Sequence, residues 1–265
     1  LSCAVNQLTS LDVSNNTALE VLNLDDNQLT SLDLSKNTAL TYLTCWDNEL
    51  TSLDVSNNTA LYWLAPVGNQ LTSLDVSKNT ALIELNVHGN QLTGLDVSAN
   101  TVLSHLNCNH NQLTSLDVSK NTALDELQVQ DNQLTTLDLS NNTALATLHI
   151  EHNQLTYLNM KNGVTDELEY FTARNNSLTC IETSDPDYAT ANWTNIDSGV
   201  TFGVFCSSVD RTKWHVATTG SDGSGSGTEA SPLASIQTAI NASTDGDTVS
   251  VAAGTYVENI NFRGR

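Results

Sequence analysis

Apolar residues recur along the chain at a fixed period of 21 residues. The stretch from Asn6 to Asp26 reads NQLTSLDVSNNTALEVLNLDD, and its leucines return in each later copy. The copies begin at Asn27, Asn48, Asn69, Asn90, Asn111, Asn132 and Asn153, and an altered copy begins at Asn176. One turn cannot bury its own leucines, whereas stacked turns bury them together. The period therefore predicts a mainly β solenoid of about eight turns with a cap at its end.

Each turn is predicted to contain two extended segments. Leu11 and Val13 alternate with polar residues, which predicts a short extended segment near residues 10–14. The apolar pair that follows predicts one parallel strand near residues 21–25. No helix of ordinary length fits in the remainder of a turn.

Three polar columns accompany the apolar ones. The Asn column that runs from Asn6 to Asn153 is predicted to pair with backbone groups of the turn after the strand. The NTAL phrase, first seen at Asn16, is predicted to do the same at the opposite corner. The third column is acidic: Asp12, Asp33, Asp54, Asp75, Asp96, Asp117 and Asp138.

The acidic column has three alternative interpretations. It is a solvated stripe paired locally with Thr or Lys, or a line of weak Ca²⁺ sites that includes Asp54, Asp75 and Asp96. Ca²⁺ is the one cofactor that this column could take. The neighbouring Thr series, which starts at Thr9, leaves ice binding as the third alternative.

Composition limits the class of partner. The chain has 30 Asp and Glu against 9 Lys and Arg, for a net charge of -21. Nucleic acids and anionic membranes are bound through basic clusters, so this balance argues against both. No apolar run of about 18 residues is present, which argues against membrane insertion.

The five cysteines fall into two classes. Cys3, Cys45 and Cys108 occupy a repeat position that is aliphatic in other turns, at separations of two and three repeats. Strand spacing of about 4.8 Å places them roughly 10 and 14 Å apart, so they are predicted to be free thiols. Cys180 and Cys206 bracket the segment after the last repeat and are predicted to form a disulfide that pins the cap. That bond would indicate an oxidising compartment.

The repeats resemble a known family. The phrases NQLTSLDVSKNTAL and LTYLTCWDNELTSLDVSNNTAL resemble leucine-rich repeats of secreted surface proteins from Bacteroidetes-type bacteria, similar in short period to the internalin group. The resemblance covers residues 1–180 and implies a solenoid domain at residues 1–179, a secreted or cell-surface location, binding of a protein or glycan, and no catalytic residues. The segment CIETSDPDYATANWTNIDSGVTFGVFC resembles the terminal cap of the same family, within residues 180–210.

Residues between the strand leucines are predicted to face a concave ligand-binding surface. One group is aromatic, with Tyr42, Trp46 and Trp63 on adjacent turns, and suits sugar stacking or a protein hot spot. The alternative is that these rings cover a local gap beside Pro66. A second group is polar and contains five further candidate ligand-binding residues: Glu84, His88, His105, Glu126 and His149. His110, Asp131 and His152 share a column and are weak candidates for a transition-metal site.

The sequence pattern changes after the cap. Residues 211–265 resemble the N-terminal cap and first rung of a right-handed parallel β-helix of the pectate-lyase-like kind. Ser231 and Pro232 predict the start of a helix whose apolar face contains Leu233. Residues 247–256 are predicted to form a strand, a turn and a second strand. The catalytic residues of that family lie on later coils, so none is carried over.

Three functions follow from these observations. The first is an extracellular binding or adhesion module that recognises a glycan or a protein and is not an enzyme. The second is the non-catalytic arm of a larger polysaccharide-degrading β-helix enzyme. The third is a structural subunit that self-assembles through open solenoid ends into a fibre or matrix. Because the chain starts in the middle of a repeat, we expect it to be a piece whose export signal lies upstream.

Overall fold

The structure is a computed structural model that describes residues 1–206, 212–223, 225–243 and 246–262. Short strands dominate it. In chain order the elements are β1 (Val21–Asn23), β2 (Tyr42–Thr44), β3 (Trp63–Ala65), β4 (Glu84–Asn86), β5 (His105–Asn107), β6 (Glu126–Gln128), β7 (Thr136–Asp138), β8 (Thr147–His149), β9 (Tyr157–Met160), β10 (Tyr170–Thr172), β11 (Cys180–Thr183), α1 (Pro186–Asn192), β12 (Thr201–Gly203), β13 (Lys213–Val216), α2 (Ile236–Ala242) and β14 (Thr248–Val251).

One strand from each repeat builds an eight-stranded parallel sheet in the order β1-β2-β3-β4-β5-β6-β8-β10. The strands pair in register, so equivalent repeat positions lie side by side, as in Val21 opposite Tyr42 and Tyr42 opposite Trp63. Ser2 adds a bridge to Asn23 before the first strand, which makes about nine turns. The predicted β-solenoid is confirmed.

The second predicted segment becomes a strand only late in the chain. β7, β9, β11 and β12 form a four-stranded sheet, again parallel, whereas residues 10–14 contain no strand. The extended segment predicted at this position is thus unpaired as a strand in the first turn. The register pairs Leu137 with Leu158, so the late strands keep the same stacking of leucine on leucine.

The two apolar columns of each turn meet in a continuous interior. Leu22, Leu43 and Leu64 are fully buried, and their equivalents follow along the whole solenoid. Cys45 and Cys108 belong to this interior and are free thiols, as the spacing predicts. Burial raises the pKa of both thiols to about 12, so they remain protonated at neutral pH.

The Asn column ties each turn to the one before it. The Asn90 Oδ1 accepts a hydrogen bond from the backbone N–H of Leu71 at 3.0 Å. Its Nδ2 donates to the carbonyl oxygens of Pro66, at 2.9 Å, and Val87, at 3.1 Å. The NTAL asparagines bridge turns at the opposite corner, where the Asn79 Nδ2 donates to the carbonyl of Val55 at 3.0 Å. Both structural predictions for asparagine are confirmed.

The acidic column is organised by local turns. The Asp54 Oδ1 accepts a hydrogen bond from the backbone N–H of Ser56 at 2.9 Å, and the other six aspartates do the same with the serine two residues on. In Asp75 the same contact with Ser77 lowers the carboxyl pKa, because it favours the charged form. This geometry supports the solvated stripe. The Ca²⁺ and ice-binding alternatives remain predictions.

The disulfide between Cys180 and Cys206 is present, with a Cα–Cα distance of 5.5 Å. Trp193 and Phe202 cover the last turn. The Trp193 ring packs 4.6 Å from that of Phe171 and 5.7 Å from that of Phe202. The helix α1 within the cap is not anticipated from the repeat pattern. Its N-terminus is capped by Asp185, whose side chain accepts from the backbone N–H of Tyr188.

A buried ion pair lies beneath the disulfide. The Lys161 Nζ is 2.8 Å from the Glu182 Oε2, and their side chains are only 5% and 10% exposed. The other Glu182 oxygen accepts from the backbone N–H of Cys206 at 3.2 Å. Burial, followed by the charge of Glu182, raises the pKa of Tyr157 to about 12. The cap is therefore held by charge as well as by a covalent bond.

The segment after the cap packs around a second apolar cluster that includes Trp214 and Val216. β13 and β14 pair in parallel, and the Phe205 ring stacks on Trp214 at 5.4 Å. Within residues 252–262 no second strand follows the turn, so that part of the predicted strand–turn–strand unit is wrong. The predicted boundary at 210–211 lies outside the described residues. The division into 1–179, 180–210 and 211–265 stays a prediction.

The helix of this segment begins later than predicted. The N-cap of α2 is Ser235, whose side chain accepts from the backbone N–H of Thr238. Ser231 and Pro232 do not start the helix, because Leu233 beside them pairs as an isolated parallel bridge with Val216. Backbone committed to that bridge cannot also begin a helix. Among the described residues, neither helix is long and apolar enough to cross a bilayer.

Replacing a ladder asparagine should weaken the solenoid. Asn90→Ala leaves the buried backbone N–H of Leu71 without its side-chain acceptor. It also removes one of the two side-chain donors to the carbonyl of Pro66, the other being Asn69. A buried unpaired group costs about 1–3 kcal/mol, so we expect a loss of about 1–3 kcal/mol in the free energy of unfolding. Urea unfolding measures this loss of stability. The exposed neighbour Gln91→Ala is the matched control, and equal midpoints for the two variants would contradict the ladder.

The acidic column should make stability depend on pH. The folded pKa of Asp54, Asp75 and Asp96 lies below the ordinary value of 3.8, chiefly because of hydrogen bonds from the serine two residues on. The stability that such a carboxyl adds to the fold is complete above the ordinary pKa and is lost as the pH falls through the folded pKa. We expect the melting temperature to decline below about pH 4. In the triple Asp→Asn variant, which keeps the acceptor oxygens, the melting temperature should fall less steeply with pH. An identical fall in both proteins would show that these carboxyls do not cause it.

Breaking the buried ion pair should destabilise the cap. Glu182→Ala leaves the Lys161 ammonium buried without its carboxylate, which typically costs about 3–5 kcal/mol. Thermal unfolding under oxidising conditions measures this effect with the disulfide intact. Glu167→Ala, at an exposed position nearby, should leave the transition almost unchanged.

Candidate functional site

Alternate residues of the eight-stranded sheet form one continuous outer face. The central residue of each strand is buried, as in Leu22 of β1 and Leu85 of β4, and the residues on either side point away from the core. The first outward column consists of Val21, Tyr42, Trp63, Glu84, His105, Glu126, Thr147 and Tyr170. This outer face is the surface that the sequence predicts for ligand binding.

Aromatic rings occupy one end of the outer face. The rings of Tyr42 and Trp63 stack with 5.4 Å between their centroids and an interplanar angle of 22°. The centroid of the Tyr62 ring lies 6.4 Å from that of Tyr42. Trp46 is 40% exposed and Tyr62 is 43% exposed. Burial, then the nearby Asp25 carboxylate, raises the pKa of the Tyr42 phenol. We call Tyr42, Trp46, Tyr62 and Trp63 the aromatic cluster.

A pocket of about 160 Å³ opens on β4, β5 and β6 in the middle of the outer face. It brings together three of the predicted site residues, Glu84, His105 and Glu126. Burial raises the pKa of Glu84; His105 opposes this rise and Glu126 adds to it. The Gln128 Nε2 donates to the Glu126 Oε1 and so holds that carboxylate in place. The complete lining is Glu84, Leu85, Asn86, His105, Leu106, Asn107, Glu126 and Gln128.

Two predicted histidines lie outside the pocket lining. His88 contacts the Asn109 Oδ1 through its Nδ1, and its ring lies 5.0 Å from that of His110. His149 stacks on Tyr170 at 4.4 Å, toward the far end of the sheet. The structure therefore places the predicted polar residues on one face but does not gather them at one point.

The column of the weak metal candidates has a backbone explanation. His110, Asp131 and His152 adopt positive φ values of 49°, 55° and 55°, as do Gly68 and Gly89 in the same repeat position. This is the left-handed residue of the turn that follows each strand. The His110 Nδ1 is 3.3 Å from the Asp131 Oδ2, whereas His152 contacts Asn175 instead.

The metal interpretation of this column gains no support from the geometry. Within the described parts of the chain, no group of three or more His, Cys, Asp or Glu side chains is arranged to hold a metal ion. The placement of His110, Asp131 and His152 in one column reflects the turn that closes each strand.

Three pocket residues are not among those that the sequence pattern predicts for the site. Asn86, Asn107 and Gln128 alternate with the strand leucines, but asparagine is also the structural residue of this repeat. The signal available was their position two residues after Glu84, His105 and Glu126, which places them on the same face of a strand.

One repeat family and several solved structures match the chain. The LVIVD repeat family matches residues 31–64. The functional domain of InlJ from Listeria monocytogenes, which includes a cysteine ladder, is 40% identical with a TM-score of 0.64, over 69% of this chain and 44% of that one. A leucine-rich-repeat protein from Leptospira interrogans is 26% identical with a TM-score of 0.67, over 76% of this chain and 55% of that one. The internalin InlF from Listeria monocytogenes is 25% identical with a TM-score of 0.53, over 74% and 64%.

The fold is an internalin-like leucine-rich-repeat solenoid. This chain covers less than two thirds of each of those three structures. No curated protein sequence matches it. The comparisons do not show an origin in Bacteroidetes or a pectate-lyase-like β-helix, so those two resemblances stay predictions.

Proposed function

We propose that this solenoid is a non-catalytic module that binds a partner protein through its outer face. The observation that carries the proposal is the aromatic cluster, which lies on an in-register parallel sheet beside a polar pocket. Seven strand spacings of about 4.8 Å make this face roughly 34 Å long, which suits a protein surface. Rigid aromatic anchors surrounded by polar groups are the usual energetic centre of such interfaces.

The ring geometry favours a protein over a glycan. Sugars stack on exposed ring faces, but Tyr42 and Trp63 stack on each other and so cover one face of each ring. Trp46 and Tyr62 stay exposed at the margin, where they can enter pockets of a partner. Glycan binding is therefore the second candidate, supported by these two exposed rings alone.

The charge of the face indicates a basic partner. Seven acidic residues occur in the strands of this face and in the turns that directly follow them, against Arg174 as the basic residue: Asp25, Asp26, Asp47, Glu84, Glu126, Asp131 and Glu151. Complementary charge speeds encounter and selects among partners more than it adds affinity. We expect association to slow as salt is raised.

We further propose that the protein acts outside the cytoplasm, at a cell surface or after secretion. The disulfide between Cys180 and Cys206 supports this location, because such bonds persist in oxidising compartments. Adhesion is the role that fits a surface-exposed protein-binding solenoid. The enzyme-arm and fibre alternatives stay predictions.

A displayed library of basic peptides and small domains tests the proposed function. Binders selected against the full chain should lose affinity at least about tenfold when Trp46→Ala and Tyr62→Ala are combined, because exposed aromatic anchors dominate such interfaces. The matched control is Thr72→Ala with Ser73→Ala, at exposed positions between the strands of the sheet. Binders whose affinity is unchanged by the two aromatic substitutions would contradict the proposal. A glycan array probed with the same variants tests the second candidate, glycan binding.

A further inference from the structure

The pocket on β4, β5 and β6 has the size of a single side chain. Its volume of about 160 Å³ is well below the ~300–1,000 Å³ of sites for drug-sized ligands. Leu85 and Leu106 form part of its lining, and Asn86 and Asn107 each accept a hydrogen bond from the backbone N–H two residues on. These contacts fix the lining before any ligand arrives.

The pocket is acidic across its width. The register places Glu84 and Glu126 on the two strands that flank His105, so about 10 Å separates their Cα atoms. None of the eight lining residues is Lys or Arg. Glu84 is partly buried, and burial raises the pKa of its carboxyl, so its charged form lacks full solvation. A cation in the pocket would compensate both carboxylates.

We propose that this pocket binds the guanidinium group of an arginine side chain that a partner protein inserts between Glu84 and Glu126. The inference rests on the proposed protein-binding function and names the residue that the outer face recognises. A planar guanidinium has five N–H donors, so it can bond to carboxylates on opposite sides. Its flat face also suits stacking on the ring of His105, which lies between the two glutamates.

Two other cations fit this geometry less well. A metal ion requires ligand oxygens that converge within about 2.6 Å, and no described group of three acidic, His or Cys side chains is so arranged. A lysine ammonium is a point charge and would pair with one of the two separated carboxylates. The wide spacing of Glu84 and Glu126 therefore favours arginine, because the several N–H donors of its guanidinium group can reach both carboxylates.

Blocked amino acids test the pocket without a known partner. The full chain, labelled with ¹⁵N, is titrated with N-acetyl-arginine amide, and the side-chain amide NMR signals of Asn86, Asn107 and Gln128 are followed. We expect saturable shifts with this probe, weaker binding of N-acetyl-lysine amide, and no binding of the uncharged isostere N-acetyl-citrulline amide. Glu84→Gln combined with Glu126→Gln should weaken arginine binding by roughly tenfold or more.

A charge-matched variant separates the pocket from general attraction. Asp54→Asn with Asp96→Asn removes the same two charges from the acidic column and should leave arginine binding unchanged. Glu126→Gln alone is the second pocket variant, since it spares the partly buried Glu84. The inference is overturned if citrulline or lysine binds as well as arginine, if the control variant weakens binding equally, or if no saturable shift occurs.

The two proposals fail in different ways. Selected protein binders that depend on Trp46 and Tyr62, together with no binding of blocked arginine, would leave the outer face as a protein site without an arginine pocket. In the opposite case, blocked arginine binds through Glu84 and Glu126, but substitutions in the aromatic cluster leave the affinity of the selected binders unchanged. That result would contradict the aromatic hot spot and leave the arginine pocket in place.

Discussion

Buried asparagines at two corners of the turn link each coil of this solenoid to its neighbour. Asn69 illustrates the contact, since its Oδ1 accepts from the backbone N–H of Leu50 and its Nδ2 donates to the carbonyl of Cys45. Buried backbone groups must be paired, and a turn this short cannot pair them within itself. The amide, with both a donor and an acceptor, meets that need at every step, so the leucine columns stay in register.

The same constraint shapes the functional surface. The residue just before each ladder asparagine takes a left-handed conformation, which is met by Gly68 and Gly89 in two turns and by His110 and Asp131 in others. Glycine enters this region freely, and other side chains do so at some cost. The backbone is thus held at the corners of the coil, and the outward strand positions are left to differ from turn to turn. That freedom is what lets aromatic rings, histidines and glutamates share one face.

Acidic residues act differently on the two sides of the coil. In the acidic column, each Asp accepts a backbone hydrogen bond, so the charge supports a turn. On the outer face, Glu84 is partly buried beside Glu126, and burial raises its pKa. The first arrangement stabilises the carboxylate form locally, whereas the second leaves negative charge that a partner can neutralise. Net charge alone does not distinguish these roles.

The sequence by itself determined the solenoid and its interior, because these follow from period and apolar spacing. It also indicated the disulfide, because Cys180 and Cys206 bracket the segment after the last repeat. Only the tertiary structure decided which outward residues meet. It stacked Tyr42 on Trp63, enclosed Glu84 and Glu126 around His105, and kept His149 apart. It also moved the helix start from Ser231 to Ser235, since the bridge between Val216 and Leu233 is a long-range contact. A repeat specifies columns, but side-chain packing between particular neighbours turns a column into a site.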